Sequence, residues 1–362
     1  MGITQQGIAD ALHISLITVH RALNNSGYVS KELRDRILAY AKEVEYVPHA
    51  ASRVLVRNRL RRIAVFSSSL PGYFWEDIRT GIAAAAEQIR ALDYKVDYHL
   101  IPEYDSEAYR EKLEAAIAEG VEAIGIANQW IYDMKSIFAR IEGAGIPYVT
   151  VNVDAPDSKR ICYVGTDYRA GGRLAAEFLG TALSFKEGSR VLAIGTREEI
   201  PPDSSAPDIN RLRLEGFLSV MRGRFGSVGC EVEEISSDIR SRDVQLRLEA
   251  IFAARDDIDA IYLIAAFNTQ FIGALERCRP ERPILTVLHD LDTSSHHHLE
   301  TGLLTAVIYQ NPILQGYYTV KLLESILETG TDQKPAGVDI VHSIILNENK
   351  DLYRNHHLFA RM

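Results

Sequence analysis

The chain has 362 residues, 46% hydrophobic and 25% charged, the balance of a folded globular protein long enough for two or three domains. No apolar run approaches the roughly 18 residues that cross a bilayer, and no charged stretch leads into an apolar one at the N-terminus, so the expectation is a cytoplasmic protein without membrane contact. The net charge of −9 is uneven: residues 1–62 hold ten Lys/Arg against five Asp/Glu, and the other 300 hold 30 against 44, so only the first segment suits a polyanion.

In chain order the first signal is helical. A helix from Gln5 to Leu12, which Thr4 is placed to cap, puts Ile8, Ala9 and Leu12 on one face. A short turn through His13 and Ile14 leads to Ser15, an N-cap for a second helix beginning at Leu16. At about 100° per residue, Val19, Ala22 and Leu23 form the apolar stripe of that helix. Leu16 and Ile17 fall on the opposite side, beside His20, Arg21 and Asn24. A third helix, Ser30 to about Val44, offers Leu33, Ile37, Ala41 and Val44 to a small shared core. Two short helices joined by a tight turn make a helix-turn-helix, whose second helix enters the major groove. There Arg pairs with guanine, Asn with adenine, and an aliphatic side chain covers a thymine methyl. Leu16 and Ile17 are then a surface completed by DNA; packing on a neighbouring domain is the plain alternative.

Pro48 precedes a short small-residue helix, His49 to about Val56, and "RNRLRR" (57–62) adds basic groups suited to phosphates. "TVHRALNNSGYVSKELRDRILAYAKEVEYVP" (18–48) and "YVPHAASRVL" (46–55) together resemble the lactose-repressor (LacI/GalR) family of bacterial transcription regulators, from about Ile3 to Leu55. The resemblance implies that Leu16, Ile17 and Arg21 read bases and that Thr18, His20 and Asn24 complete the DNA-facing set. It also implies that Leu55 is a wedge inserted into the minor groove from each of two paired hinge helices. Such wedges unstack a base step and bend the duplex. Ala50 and Ala51 are small enough for the paired helices to approach. His13, His20 and His49 stand where the family usually has glycine, serine and asparagine.

From Arg62 apolar strands alternate with amphipathic helices. "RIAVFSSS" (62–69) precedes a helix from about Tyr73 to Ala91, followed by "YKVDYHLI" (94–101), "VEAIGIA" (121–127) and "IPYVTVNV" (146–153). "SRVLAIG" (189–195) and "IDAIYLIAA" (258–266) follow, with a last strand in "VDIVHSIILNEN" (338–349). Repeated β-α-β units predict parallel, doubly wound sheets covered by helices. The length suggests two sheets with a cleft between them, and open α/β sheets bind ligands beyond their strands' carboxyl ends. No strand is followed by a phosphate-binding glycine motif, so no cofactor is expected; the glycines of "GTDYRAGG" (165–172) read as close helix packing.

"VGTDYRAGGRLAAEFLG" (164–180), "NRLRLEGF" (210–217) and "VIYQNPILQGYYTVKLL" (307–323) are similar to landmarks of the repressor family's core, which shares the type I periplasmic sugar-binding fold. The resemblance implies that Phe74 and Trp75, after the first strand, stack on a sugar ring. It places Asn152 after the fourth strand, Arg213 before the "EGF" segment, and Asn268, Asp290 and Gln310 at the remaining strand ends. Fixed polar groups for hydroxyls and an aromatic face for ring C–H bonds suit a small-molecule site. Taken singly, these residues have ordinary alternatives: Asp290 as a loop cap, Trp75 in the core, Arg213 on a helix surface.

The fold class expected is therefore an all-α helix-turn-helix head (1–48), a hinge helix and linker (49–61), and a core (62–345) of two doubly wound parallel α/β subdomains. The core is expected to divide into 62–163 with 291–310 and 164–290 with 311–345, leaving a short tail (346–362). The function expected is a DNA-binding regulator, a repressor, that binds palindromic double-stranded operator DNA as a homodimer and responds to a sugar-like effector. A solute receptor or a sugar-processing enzyme on the same core is the alternative. "HDLDTSSHHH" (289–298) could be drawn as a metal centre, but consecutive histidines do not share a helix face, and no metal is expected. No serine sits in a G-x-S-x-G elbow, so no nucleophilic enzyme is expected either. Cys162, Cys230 and Cys278 lack paired-ligand spacing, in keeping with a reducing compartment.

Overall fold

The computed structural model describes residues 5–23, 29–44, 46, 60–196, 200–201, 204–235, 242–264, 267–278, 283–330 and 337–354. The chain divides between Leu60 and Arg61 into a head and a core.

The head has the three expected helices: α1 (Gln5–Leu12), α2 (Leu16–Leu23) and α3 (Lys31–Glu43). Ser15 and Ser30 start α2 and α3 by accepting the amides of Thr18 at 3.1 Å and Leu33 at 3.4 Å. His13 forms the turn at a φ of 53°, a left-handed conformation that accounts for the family's preference for glycine there. Ile8, Ala9, Leu12, Val19, Ala22, Ile37 and Ala41 close the core, with Leu23 and Leu33 at its edge. Val44 stays outside it as the C-cap of α3. Thr4, Asn24, Pro48 and the hinge segment with Leu55 lie outside the described residues.

Among the described residues the core contains two six-stranded sheets. The first, in the order β11-β5-β4-β3-β1-β2, is built from β1 (Arg61–Ser68), β2 (Tyr94–Ile101), β3 (Ala123–Ile126), β4 (Tyr148–Val151), β5 (Tyr163–Gly165) and β11 (Val338–Asp339). The second, β12-β10-β9-β8-β6-β7, takes β6 (Arg190–Thr196), β7 (Gly229–Ile235), β8 (Ala260–Leu263), β9 (Leu285–His289), β10 (Ala306–Tyr309) and β12 (Ser343–Ile345). β3, β4, β8 and β10 are buried along their whole length, which is why they read as continuous apolar runs rather than alternating ones.

Helices α4 (Gly72–Arg90), α5 (Ser106–Ala118) and α6 (Met134–Gly143) belong to the first lobe. α7 (Tyr168–Leu183), α8 (Ile209–Arg224), α9 (Arg242–Ala253), α10 (Asn268–Arg277) and α11 (Thr293–Glu300) belong to the second. α12 (Pro312–Thr329) packs on β3, β4 and β5, and α13 (Lys350–Arg354) follows β12. Short acidic caps set several helix starts, Asp105 for α5, Asp133 for α6 and Asp208 for α8.

Two expectations about the lobes are corrected. Residues 291–310 were placed with the first subdomain, but β10 lies inside the second sheet, between β9 and β12. Residues 311–345 were placed with the second, yet α12 covers the first sheet. The segment at 338–349 is not one strand: β11 pairs parallel to β5, and β12 pairs antiparallel to β10 in the other sheet. The chain therefore passes between lobes three times, after β5, after β10 and between β11 and β12. Hydrophobic periodicity marks the buried strands but carries no record of which of two sheets each joins.

In each lobe two helices meet through reciprocal glycines. A Cβ on Gly81 of α4 would lie 1.9 Å from the Ile313 carbonyl oxygen, and one on Gly316 of α12 would lie 2.0 Å from that of Ile78. In the second lobe, Gly172 of α7 meets the Arg213 carbonyl and Gly216 of α8 that of Arg169, at 1.9 and 2.1 Å on the same measure. Of the "AGG" glycines, Gly172 provides the close helix packing expected, whereas Gly171 faces the His342 ring.

Candidate functional site

On the head, α2 presents Leu16 and Ile17, 42% and 62% exposed, while Val19 and Ala22 are buried behind them. Arg21 is exposed on the same helix, and Thr18 shares its hydroxyl with Ser15 at 2.8 Å. Aliphatic groups left in water next to a guanidinium form a surface that gains from covering base edges. His20 lies on this helix; Asn24 and Leu55 are outside the described residues.

In the core, the polar candidates converge where strands of both sheets end. Asn152, just after β4, and Asp290, just after β9, hold φ of 65° and 70°, a left-handed turn that Asn and Asp tolerate better than most residues. Gln310, in the crossing after β10, joins them. Its Nε2 donates to Asp290 Oδ1 at 2.9 Å, and its Oε1 accepts from Asn152 Nδ2 at 3.4 Å. Asn152 also donates to Gln315 Oε1 at 3.3 Å, while its carbonyl accepts the hydroxyls of Tyr163 at 2.5 Å and Tyr168 at 2.8 Å. All three candidates are buried.

Arg213 enters from α8 and is 2% exposed. Its Nη1 donates to the Ile264 carbonyl at 3.1 Å, its guanidinium carbon stands 5.4 Å from the Tyr168 ring centre, and its Nε has no partner. Asn268, at the start of α10, donates to the His289 carbonyl at 2.9 Å and leaves its Oδ1 without one. Buried polar atoms are normally paired, so an unpaired donor and an unpaired acceptor here mark places a ligand atom can fill. Burial raises the Asp290 carboxyl above its usual range, and the Arg213 charge and the Gln310 hydrogen bond pull it back.

The aromatic pair is placed differently from its neighbours on α4. Trp75 is buried with its indole N–H donating to the Leu70 carbonyl at 2.9 Å, and Phe74 meets it edge-on, ring centres 5.3 Å apart. Tyr73 and Asp77, one turn apart, are the residues of α4 that feel the charges of the second lobe. Burial pushes the Tyr73 phenol well up, with Asp290 and Asp292 adding and Arg213 opposing. Burial and then the Asp290 charge push Asp77 up to about 7. Both residues escaped sequence reasoning, as did Gln315, because aromatics drew attention to positions 74 and 75. The i, i+4 spacing of Tyr73 and Asp77 was the available signal.

A second bridge between the lobes also went unpredicted. Asn128, following β3, donates to the carbonyls of Asp154 at 2.7 Å and Ser205 at 3.0 Å, and accepts the Ser205 hydroxyl at 2.9 Å. Ser205 lies between β6 and α8, so these bonds tie the first lobe to the second. The histidines of 289–298 point to separate partners. His289 Nε2 meets the Tyr262 hydroxyl at 2.6 Å, His296 meets Asp351 at 2.8 Å, and His298 meets Glu276 at 3.0 Å. Among the described residues no group of three metal-ligating side chains converges, nor is any helix long and apolar enough to cross a membrane.

A helix-turn-helix head with an unburied aliphatic face, joined to a two-lobed core with polar groups at its strand ends, defines a ligand-responsive class of DNA-binding regulator. Residues 4–49 match the family of bacterial regulatory proteins described as lacI, and residues 63–332 match the periplasmic binding protein domain. The NTD biosynthesis operon regulator NtdR of Bacillus subtilis is 32% identical over 276 residues, 73% of this chain and 77% of its own. The ribose operon repressor of Halalkalibacterium halodurans is 24% identical over 277 residues, 75% and 74% of the two chains. A crystal structure of a putative LacI transcriptional regulator from Bacteroides fragilis superposes with a TM-score of 0.68 at 18% identity, covering 82% of this chain and 100% of that one. The chain belongs to the lactose-repressor (LacI/GalR) family of DNA-binding transcription regulators, with a core of the periplasmic sugar-binding type.

Proposed function

We propose that this regulator is a cytoplasmic repressor that grips a palindromic operator as a homodimer and changes its grip when a sugar-class effector enters the core. In this reading Leu16, Ile17 and Arg21 contact bases, with Thr18, His20 and Asn24 beside them. The segment 49–61 forms a hinge whose Leu55 enters the minor groove. The protein acts by binding alone, without turnover or cofactor. The observation that carries the effector reading is the meeting of Asn152, Gln310 and Asp290 beside the unpaired Arg213 Nε and Asn268 Oδ1. Gln310 lies in a crossing segment, so a ligand that engages Asp290 acts on the joint between lobes. Coupling of this kind is reciprocal: effector and operator change each other's affinity by the same factor.

The test pairs calorimetry against pentoses, hexoses and their derivatives with operator binding. A charged hydrogen-bond partner in a site closed to water contributes about 1.5–3 kcal/mol, so Arg213→Ala weakens the effector by roughly ten- to a hundredfold. Operator affinity without effector stays at the wild-type value. Wild-type effector affinity in Arg213→Ala would place the pocket elsewhere.

A further inference from the structure

We propose that the second lobe carries a further binding site, a cavity at the far edge of its sheet from the cleft, which takes a neutral, apolar ring compound.

The cavity has a volume of about 510 Å³. Its walls are Leu192 of β6, Phe252 near the end of α9, Ile258 and Ile261 at β8, Leu275 of α10 and Ile284 just ahead of β9. β6, β8 and β9 run parallel. Leu192, Ile258, Ile261 and Ile284 all stand at the starts of these strands, whereas Asp290 follows the end of β9. Cavity and cleft therefore lie at opposite edges of one sheet. α10 reaches both, with Asn268 at its first position and Leu275 in the cavity wall.

Protein interiors pack so closely that few voids exceed a water molecule. A space of this volume falls instead in the range of small-molecule sites. Its walls are core side chains: Leu192, Ile258, Ile261 and Leu275 are each 2–3% exposed. Water needs polar partners of its own and gains little against them. Ala253 and Asp256 are the exposed members of the lining, which puts the entrance just after α9.

The lining also sets the charge of the occupant. Arg255 at the entrance is committed elsewhere, to Glu231 at 2.9 and 3.0 Å and to Asp257 at 2.9 Å, and Asp256 is engaged as well. Neither is left to meet an ion, and an ion without a partner is costly to bury. Cys278, on the same wall, donates its thiol to the Glu249 carbonyl at 3.6 Å, and burial raises that thiol and keeps it neutral. Phe252 is held edge-on against Phe271, ring centres 5.9 Å apart, so a fixed aromatic surface forms part of the wall. Aromatic surfaces of this kind pair with a second ring by stacking or by edge contact. A neutral ring compound is the complement of the whole lining.

The experiment titrates the full chain at pH 8 with the neutral probe N-phenylnaphthylamine, read by its fluorescence, and with its anionic relative anilinonaphthalene sulfonate. The neutral probe is expected to bind one site per chain, about tenfold more tightly than the anion. Leu275→Trp and Ile284→Trp fill the space from two walls, and each should weaken the probe about tenfold or more. In wild type the bound probe should also slow alkylation of Cys278, read by mass spectrometry, and this measurement stands even where a tryptophan variant fails to fold. A probe that binds both filled variants as it binds wild type overturns the site. An anion that binds as tightly as the neutral probe overturns the ligand class. Absence of binding by wild type, or alkylation of Cys278 at an unchanged rate with probe bound, overturns the inference.

Discussion

Gln310 and Asp290 are joined by a 2.9 Å hydrogen bond, with Gln310 in a segment that crosses between the lobes and Asp290 at the end of β9 in the second. The same amide accepts from Asn152 on the first lobe. Gln310→Ala leaves Asp290 and Asn152 without this common partner. Effector affinity is expected to fall about tenfold, in line with the cost of a hydrogen bond to a charged group. Calorimetry beside wild type checks this; an unchanged Kd removes Gln310 from the site.

The exposed side chains of α2 separate folding from recognition. Ile17 is 62% exposed and adds nothing to the head's core, so Ile17→Ser should leave the melting temperature of the head unchanged. Arg21→Ala is expected to cost about 1–3 kcal/mol per operator half-site and to relax preference at its base pair. Footprinting and titration over a range of salt decide the matter. Wild-type operator affinity in both variants would move the DNA contact off α2.

Gly172→Ala forces a methyl group onto the Arg213 carbonyl, which lies 1.9 Å from the position of the new carbon. Neither backbone can yield without separating α7 from α8. A loss of about 1–3 kcal/mol or more is expected in denaturant unfolding. Because α8 carries Arg213, effector affinity should fall as well. A variant as stable as wild type would show that the helices slide apart at little cost.

Asp77 links the cleft to pH. Its carboxyl titrates near 3.8 in the unfolded chain and at about 7 in the fold. The folded state thus holds the extra proton between these values, and the stability present below about 4 is lost as pH rises through 7. Asp77→Asn has no proton to lose. It should match wild type near pH 4 and exceed it at pH 8, by at most about 4 kcal/mol for a shift of this size. Equal differences in melting temperature at both pH values would show that Asp77 titrates normally.

How far these features could be read from the chain depends on their physical range. Ser15, Ser30 and the apolar spacing of Ile8, Val19 and Ile37 act within one or two turns, and the three head helices appear where those signals put them. Strands buried along their length, such as β3, β4 and β8, are likewise visible as short apolar runs, whereas β7, exposed along most of its length, leaves no such run. Membership of β10 in the second sheet and of α12 in the first lobe depends on contacts made far along the chain, and no local pattern encodes it. The site divides the same way. The resemblance brought Asn152, Arg213, Asn268, Asp290 and Gln310 forward, and the fold gathers them at the strand ends. Asp77 is an ordinary exposed-face aspartate until Asp290, 213 positions later in the chain, is set near it.

The three passages between lobes also bear on how such a protein can be taken apart. Neither lobe is one uninterrupted stretch, since β11 is separated from β5 by the whole of the second lobe, and β12 returns to β10 after it. A single cut in the backbone frees neither half. A gene fusion that exchanges one lobe at a single junction leaves foreign strands sewn into the other's sheet, and a faithful exchange needs three junctions at once. New specificity is therefore easier to reach through side chains at the rim of the cleft than by trading whole lobes between relatives.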